Sequence, residues 1–252
     1  MKELKIFFTA LMFYTRIPVP KSTGYSEENL NKATRYFPII GIIVGSISAL
    51  VFYCLQFILP KELAILFSMA ASIYITGAFH EDGFADFCDG FGGGYTKEKI
   101  LSIMKDSRIG TYGSVGLVLI LAIKFFSIQN IETGLIPIVL INAHAFSRIF
   151  PVIMIYTSSY SRMDASSKTR PIGKRGSIAS MVFAVITGLL FLYFIHWIVI
   201  VLAILICSVV FILFRAYVLR RIDGYTGDVL GALQQLSEIG FYIAYLIHIQ
   251  LL

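Results

Sequence analysis

The run IVIVLAILICSVVFILFRAYV, from Ile198 to Val218, carries one ionisable side chain, Arg215, in a stretch as long as a bilayer crossing. A helix that spans the hydrocarbon core needs about 20 predominantly apolar residues, because its backbone polar groups must be satisfied within the segment. Comparable runs cover 36–59, 63–79, 113–129, 135–156, 178–195 and 237–252. They predict an all-α, polytopic integral membrane bundle of about seven spans, forming a single domain over residues 1–252. With 57% of the chain apolar and 14% charged, no soluble second domain, repeat or low-complexity tract is legible. Ile6 to Tyr14 is too short to cross and lacks a small-residue cleavage site. It reads as an N-terminal interfacial helix and not as a signal peptide.

The basic residues orient this bundle. Lys2, Lys5, Arg16, Lys21, Lys32 and Arg35 fall on one side of it, with Lys97, Lys99, Lys105 and Arg108. The loop residues Arg162, Lys168, Arg170, Lys174 and Arg175 and the pair Arg220 and Arg221 join them, and Lys61 alone falls opposite. The positive-inside rule places the rich side in the cytoplasm, so the chain is expected in the cell membrane with its working loops facing inward. The opposite loops, near 60–62, 130–134 and 196–197, are too short to hold a site. Topology and anionic lipid account for the net charge of +6, and nucleic acid is not expected as a partner. Cys54, Cys88 and Cys207 are scattered, without the paired spacing of a zinc or redox site.

Chemistry enters just after the 63–79 run. His80-Glu81-Asp82-Gly83-Phe84-Ala85-Asp86-Phe87-Cys88-Asp89-Gly90-Phe91-Gly92-Gly93-Gly94 packs four carboxylates and five glycines into fifteen positions. On a helix, Asp82, Asp86 and Asp89 stand at i, i+4 and i+7 and share one face. Three like charges that close require a counter-ion, and a hard divalent cation that also holds a diphosphate would supply it. Gly92, Gly93 and Gly94 would let backbone N–H groups approach phosphate oxygens.

Other polar intrusions support the same chemistry. Lys105-Asp106-Ser107-Arg108-Ile109-Gly110-Thr111-Tyr112-Gly113 supplies two cations and a helix start, both suited to phosphate. Arg148 lies about 12 Å deep in its span at ~1.5 Å per residue and reads as lining a polar cavity towards substrate. His144 reads as a packing residue, and Lys124 as snorkelling to the outer surface. Asp228, Gln235 and Glu238 share a helix face, Asp228 serving either a metal or an N-cap network. Gly41-Ile42-Ile43-Val44-Gly45 and Gly113 with Gly116 read as helix-packing faces.

These residues resemble the adenosylcobinamide-GDP ribazoletransferase (cobalamin synthase) family. The resemblance runs in family order through Phe13-Tyr14-Thr15-Arg16-Ile17-Pro18-Val19-Pro20, Arg35-Tyr36-Phe37-Pro38 with Gly41, and the His80 to Gly90 block. It continues through Ile103-Met104-Lys105-Asp106-Ser107-Arg108, Ser147-Arg148, and Gly224-Tyr225-Thr226-Gly227-Asp228 with Gly231. It departs at 160–176, where Tyr160-Ser161-Arg162 leads to Lys168-Thr169-Arg170-Pro171-Ile172-Gly173 and not to the family's usual Gly-Leu-Gly. The resemblance implies a magnesium-dependent transfer joining adenosylcobinamide-GDP to α-ribazole or its 5′-phosphate, with release of GMP. On it Asp82, Asp86 and Asp89 are the main metal ligands, with Asp228 and Glu238 as further candidates for metal or ribazole, and Glu81 or one of those aspartates is the base. Lys105, Arg108, Arg148, Gly92, Gly93 and His80 fall to substrate and phosphate. Homo-oligomers and contact with other cobalamin-pathway enzymes are compatible with it, although no docking motif is legible.

Two rivals compete. A CDP-alcohol phosphotransferase starts Asp-Gly-x-x-Ala-Arg and continues Gly-x-x-x-Asp-x-x-x-Asp, whereas Asp82-Gly83-Phe84-Ala85-Asp86 lacks the arginine and compresses the acidic spacing. A secondary transporter would also bury charge, but its opposite face would need a vestibule that these short loops do not offer.

Overall fold

The computed structural model describes residues 2–24, 26–161 and 177–251, and the basic loop from Arg162 to Gly176 lies outside the described residues. The architecture is helical, and the one bridge among the described residues pairs Tyr160 with Tyr225. In chain order the helices are α1 (Lys2–Tyr14), α2 (Glu27–Ala33), α3 (Phe37–Leu55), α4 (Lys61–Thr76), α5 (Phe79–Gly93) and α6 (Lys97–Ile103). Then follow α7 (Thr111–Gln129), α8 (Ile136–Ser147), α9 (Ile149–Thr157), α10 (Ile178–Leu189), α11 (Trp197–Ile222) and α12 (Gly227–Gln250).

Among the described residues four segments are long and apolar enough to cross a membrane: Glu27–Leu55, Thr111–Gln129, Thr133–Thr157 and Trp197–Ile222. A fifth is α4 with α5, if this pair, bent by 87°, is taken as one span. Seven spans are expected from run length, and the described residues depart from that reading for local reasons. The 63–79 run ends in a corner, and 178–195 belongs to the short apolar segment Ile178–Phe194. The 237–252 run is the far half of α12 and itself begins with Ser237 and Glu238, while the near half carries Asp228, Gln234 and Gln235. That helix is long enough to cross but not apolar enough. Within Thr133–Thr157, Pro151 has no N–H to offer the Ser147 carbonyl, and the helix breaks between α8 and α9 at Arg148.

The α4–α5 corner is made by two consecutive left-handed residues, Gly77 at φ +68° and Ala78 at φ +58°. A Cβ at position 77 would sit 2.5 Å from Arg16 Nε, so the corner is closed by the segment after α1. α1, expected as an interfacial helix, packs Ile6, Ala10, Leu11 and Tyr14 against Leu30, Ile40 and Val44. Gly41 and Gly45 form the close-packing face read from the sequence: Cβ atoms there would meet the His144 carbonyl oxygen at 2.3 Å and Ile141 Cα at 2.8 Å. Lys61, the lone basic residue of the opposite loops, donates to the carbonyls of Gln129 and Ile131, both at 2.7 Å, and so closes the C-terminal end of α7.

α12 is the axis of the molecule. It packs on α5, α7, α8, α9 and α11 and is buried along most of its length. Helix α5 lies along it with almost nothing between the backbones: a Cβ on Gly83 would meet Asp228 Cα at 2.9 Å, and one on Gly231 the His80 carbonyl oxygen at 3.3 Å. This contact decides where the chemistry sits.

Candidate active site

The α5–α12 seam is antiparallel, with His80 beside Gly231 and Gly83 beside Asp228. One turn past Gly83, Asp86 is half-buried and feels the like charges of Asp228, Asp82 and Asp89, in that order of strength. Asp82 is exposed and also bears on Asp228. Asp228 keeps a weak contact at 3.4 Å with Thr226, whose hydroxyl caps α12 by accepting from Val229 N–H. Among the described residues no cation pairs with Asp82, Asp86 or Asp228. The α5–α12 packing therefore brings Asp82 and Asp86 near Asp228, with no cation paired to any of them among the described residues.

Asp89 shares the α5 face but not this role. Its Oδ2 accepts from Gly110 N–H at 2.7 Å and its Oδ1 from Gly113 N–H at 2.8 Å. It is buried, and it supplies the anion that the N-terminus of α7 requires. The helix start read as suited to phosphate thus holds a carboxylate of the chain itself. Nor do the glycines form a cradle. Gly92 and Gly93 belong to the last turn of α5, so their N–H groups lie within the helix, and Gly94 N–H donates to the Gly90 carbonyl at 2.9 Å. Their smallness admits neighbours instead, because a Cβ on Gly92 would sit 2.6 Å from the Tyr112 ring.

Lys105 and Arg108 stand in the exposed loop between α6 and α7. The Arg108 side chain is 87% exposed and grips Asp106 with Nε and Nη2, at 3.1 and 2.7 Å. These hydrogen bonds lower the Asp106 carboxyl to about 2. The Arg108 guanidinium is thus held by an exposed partner from which it can be released.

A second polar assembly, absent from the sequence reading as a unit, lies inside the bundle. Lys124 does not snorkel. It is buried, with Nζ 3.0 Å from Glu238 Oε1 and 3.0 Å from Gln235 Oε1. Glu238 also accepts from Gln234 Nε2 at 2.8 Å and Tyr242 Oη at 3.3 Å, and its Oε2 is 3.7 Å from His144 Nδ1. Arg148 is 1% exposed: its Nη1 donates to the His144 carbonyl at 2.7 Å and its guanidinium lies 5.3 Å from the centre of the Phe37 ring. His80, also buried, stacks on the same ring at 5.7 Å. Glu81 turns away from Asp82 and accepts from Gln235 Nε2 at 3.0 Å. Four residues expected at or near the site, namely Glu81, His80, Arg148 and Glu238, therefore belong to the interior of the bundle. The sequence held one signal for this, the pairing of Lys124 with an acidic residue at similar depth in another apolar segment.

Among the described residues no group of three or more His, Cys, Asp or Glu side chains is already arranged to hold a metal ion. The donor set nevertheless suits magnesium. It is all carboxylate oxygen, with no cation paired to it among the described residues, and magnesium commonly takes one or two carboxylates, completing its shell with water and substrate phosphate. Asp82, Asp86 and Asp228 are the residues that fit.

The family model for Cobalamin-5-phosphate synthase matches residues 6–246. The adenosylcobinamide-GDP ribazoletransferase of Shewanella amazonensis (strain ATCC BAA-1098 / SB2B) is 41% identical over 255 residues, covering 98% of this chain and 96% of that protein. The protein of the same name from Shewanella frigidimarina (strain NCIMB 400) is 40% identical over 251 residues, covering 98% and 95%. No solved structure matches the chain. A match running from α1 into α12 takes in both acidic helices and the bundle that holds them, and the chain belongs to the cobalamin-5-phosphate synthase family of transferases.

Proposed function

We propose that this protein joins adenosylcobinamide-GDP to α-ribazole, or to its 5′-phosphate, giving adenosylcobalamin or its phosphate and GMP. One observation carries the reading to this site: Asp82 and Asp86 of α5 face Asp228 of α12 with no cationic partner among the described residues. Such a cluster suits a polyanionic substrate only if a divalent cation stands between them. Magnesium, held by Asp82, Asp86 and Asp228, would neutralise diphosphate oxygens and so ease displacement at phosphorus.

The chain does the rest. The ribose 3′ oxygen bonds to the phosphorus nearer the cobinamide, the bond from that phosphorus to the bridging oxygen breaks, and GMP leaves with the electron pair. Asp82 or Asp86 takes the hydroxyl proton, since both stand at the mouth of the seam while Glu81 is bonded inward to Gln235. Arg108, released from Asp106, and Lys105 bind the departing phosphate. The site faces the cytoplasm of the cell membrane, where the basic loops gather.

The test is GMP release by detergent-purified protein supplied with adenosylcobinamide-GDP and α-ribazole, with and without magnesium. The expected result is turnover that needs both the metal and the aspartates: Asp82→Asn folds normally and loses at least about a hundredfold in rate. Undiminished turnover in the Asp82→Asn, Asp86→Asn and Asp228→Asn variants would remove the assignment. A CDP-linked donor run in parallel separates the reaction from that of the CDP-alcohol transferases.

A further inference from the structure

The seam that brings Asp86 to Asp228 is made at its closest points by glycine and not by interlocking side chains. Helices normally hold their axial position by packing side-chain ridges into grooves. Here the contact is made by Gly83 against the Asp228 backbone and by Gly231 against His80, so the ridges are missing where they would be most useful. A slip of one residue moves a helix about 1.5 Å along its axis. Magnesium demands near-ideal ligand placement at about 2.1 Å, so a slip of that size would undo a site shared between α5 and α12.

Gln235 is placed to prevent it. It lies seven residues beyond Asp228 on α12, is 1% exposed, and has hydrogen bonds to groups on three helices. Its Nε2 donates to Glu81 Oε1 on α5 at 3.0 Å and to Gln234 Oε1 on its own helix at 3.0 Å. Its Oε1 accepts from Lys124 Nζ on α7 at 3.0 Å. Lys124 is in turn anchored by Glu238, one turn further along α12, at 3.0 Å. Glu81 is the immediate neighbour of Asp82. The amide cannot be satisfied in this way at another register, and leaving any of these buried groups unpaired carries a penalty.

We propose that Gln235, oriented by Lys124, is a positioning residue for the metal site. By gripping Glu81 it fixes α5 against α12 and so sets the separation of Asp82 and Asp86 from Asp228. The proposal rests on the metal reading given above, but not on the identity of the substrates.

The experiment measures manganese binding, as a spin-active stand-in for magnesium, by electron paramagnetic resonance on purified protein without substrate. Two variants cut the link. Gln235→Met keeps the length of the side chain and the Lys124–Glu238 pair. Glu81→Leu with Gln235→Leu removes both buried partners together, so that no carboxylate is stranded and the fold is retained. Both are expected to bind manganese at least about tenfold more weakly, the scale of loss seen when groups that orient metal ligands are removed, with the double variant melting near the wild type. A role in folding alone would lower the melting temperature and leave the affinity of the folded fraction unchanged. Wild-type manganese affinity in either folded variant overturns the proposal, as does a wild type that binds no manganese; if Gln235→Met fails to fold, the double variant decides. GMP release is scored separately. Its absence in a wild type that shows the manganese effect sinks the substrate assignment and leaves the clamp standing.

Discussion

α5 and α12 each contribute acidic residues to two places, and the two places treat charge in opposite ways. At the mouth of the seam, no cation among the described residues pairs with Asp82, Asp86 or Asp228, whose like charges oppose one another. Deeper, Glu238 has Lys124 at 3.0 Å, His144 beyond it, and amide and phenol donors around it. A buried carboxylate survives only with such partners, because desolvation of an unpaired charge exceeds the few kcal/mol that hold a domain folded. Among the described residues Glu238 is therefore compensated by the chain itself, whereas the carboxylates at the mouth have no cation paired with them. That difference separates architecture from chemistry more surely than residue type does, since both are carboxylates on the same helices.

The largest effect is expected where compensation is removed. Lys124→Met leaves Glu238 buried with His144 as its nearest cationic candidate, and stripping one partner from a buried pair costs about 3–5 kcal/mol. Thermal unfolding in detergent should show a steep loss of stability. Pairing the change with Glu238→Leu should recover most of it, because neither charge is then stranded. A single variant as stable as the wild type would break the distinction between the two regions.

Next comes the mouth, where the sign reverses. Asp86→Asn removes a charge that its neighbours oppose, so stability should be equal or higher, while magnesium-dependent GMP release falls about a hundredfold or more. Melting curves and rates measured on the same preparation check both halves. Loss of stability would mean that Asp86 is compensated by a group outside the described residues.

The sequence revealed these regions unequally. Apolar run length predicted an all-helical membrane bundle, but run length alone cannot distinguish a helix sheathed by lipid from one sheathed by protein. The far half of α12 is as apolar as a span, yet Phe241, Tyr242 and Ala244 in it are fully buried. Spacing placed Asp82, Asp86 and Asp89 on one helix face. It could not show that α7 begins against Asp89, a contact across 21 residues of chain, nor that Asp228 arrives from the other end of the molecule. Gly92 and Gly93 misled for a related reason: glycine reports that something comes close, and here the neighbour is the Tyr112 ring. Lys124, assigned to the surface by its place near a helix end, is held inside by a partner 114 positions later in the chain, at Glu238.

Asp89 offers an intermediate case, a carboxylate on the active face of α5 that is compensated by backbone. Asp89→Ala leaves the N–H groups of Gly110 and Gly113 without their acceptor, and losing a helix cap costs about 1–2 kcal/mol. The expected outcome is a lower melting temperature with manganese affinity within about threefold of wild type, far from the loss expected at Asp86. An equal loss at both positions would place Asp89 in the metal set and dissolve the boundary drawn here.

The smallest effect belongs to the exposed rim. Arg108 and Asp106 pair in open solvent, where screening leaves such bridges with little influence on folding. Arg108→Ala should melt with the wild type, but the KM for the GDP-linked donor should rise about fivefold with kcat nearly unchanged, as for a phosphate contact present in both ground and transition states. Asp106→Ala sharpens the point, because it frees the same guanidinium without deleting it: the donor KM should hold or fall. Opposite movements of KM in these two variants, at constant stability, would distinguish a rim that recruits an anion from one that only braces a loop.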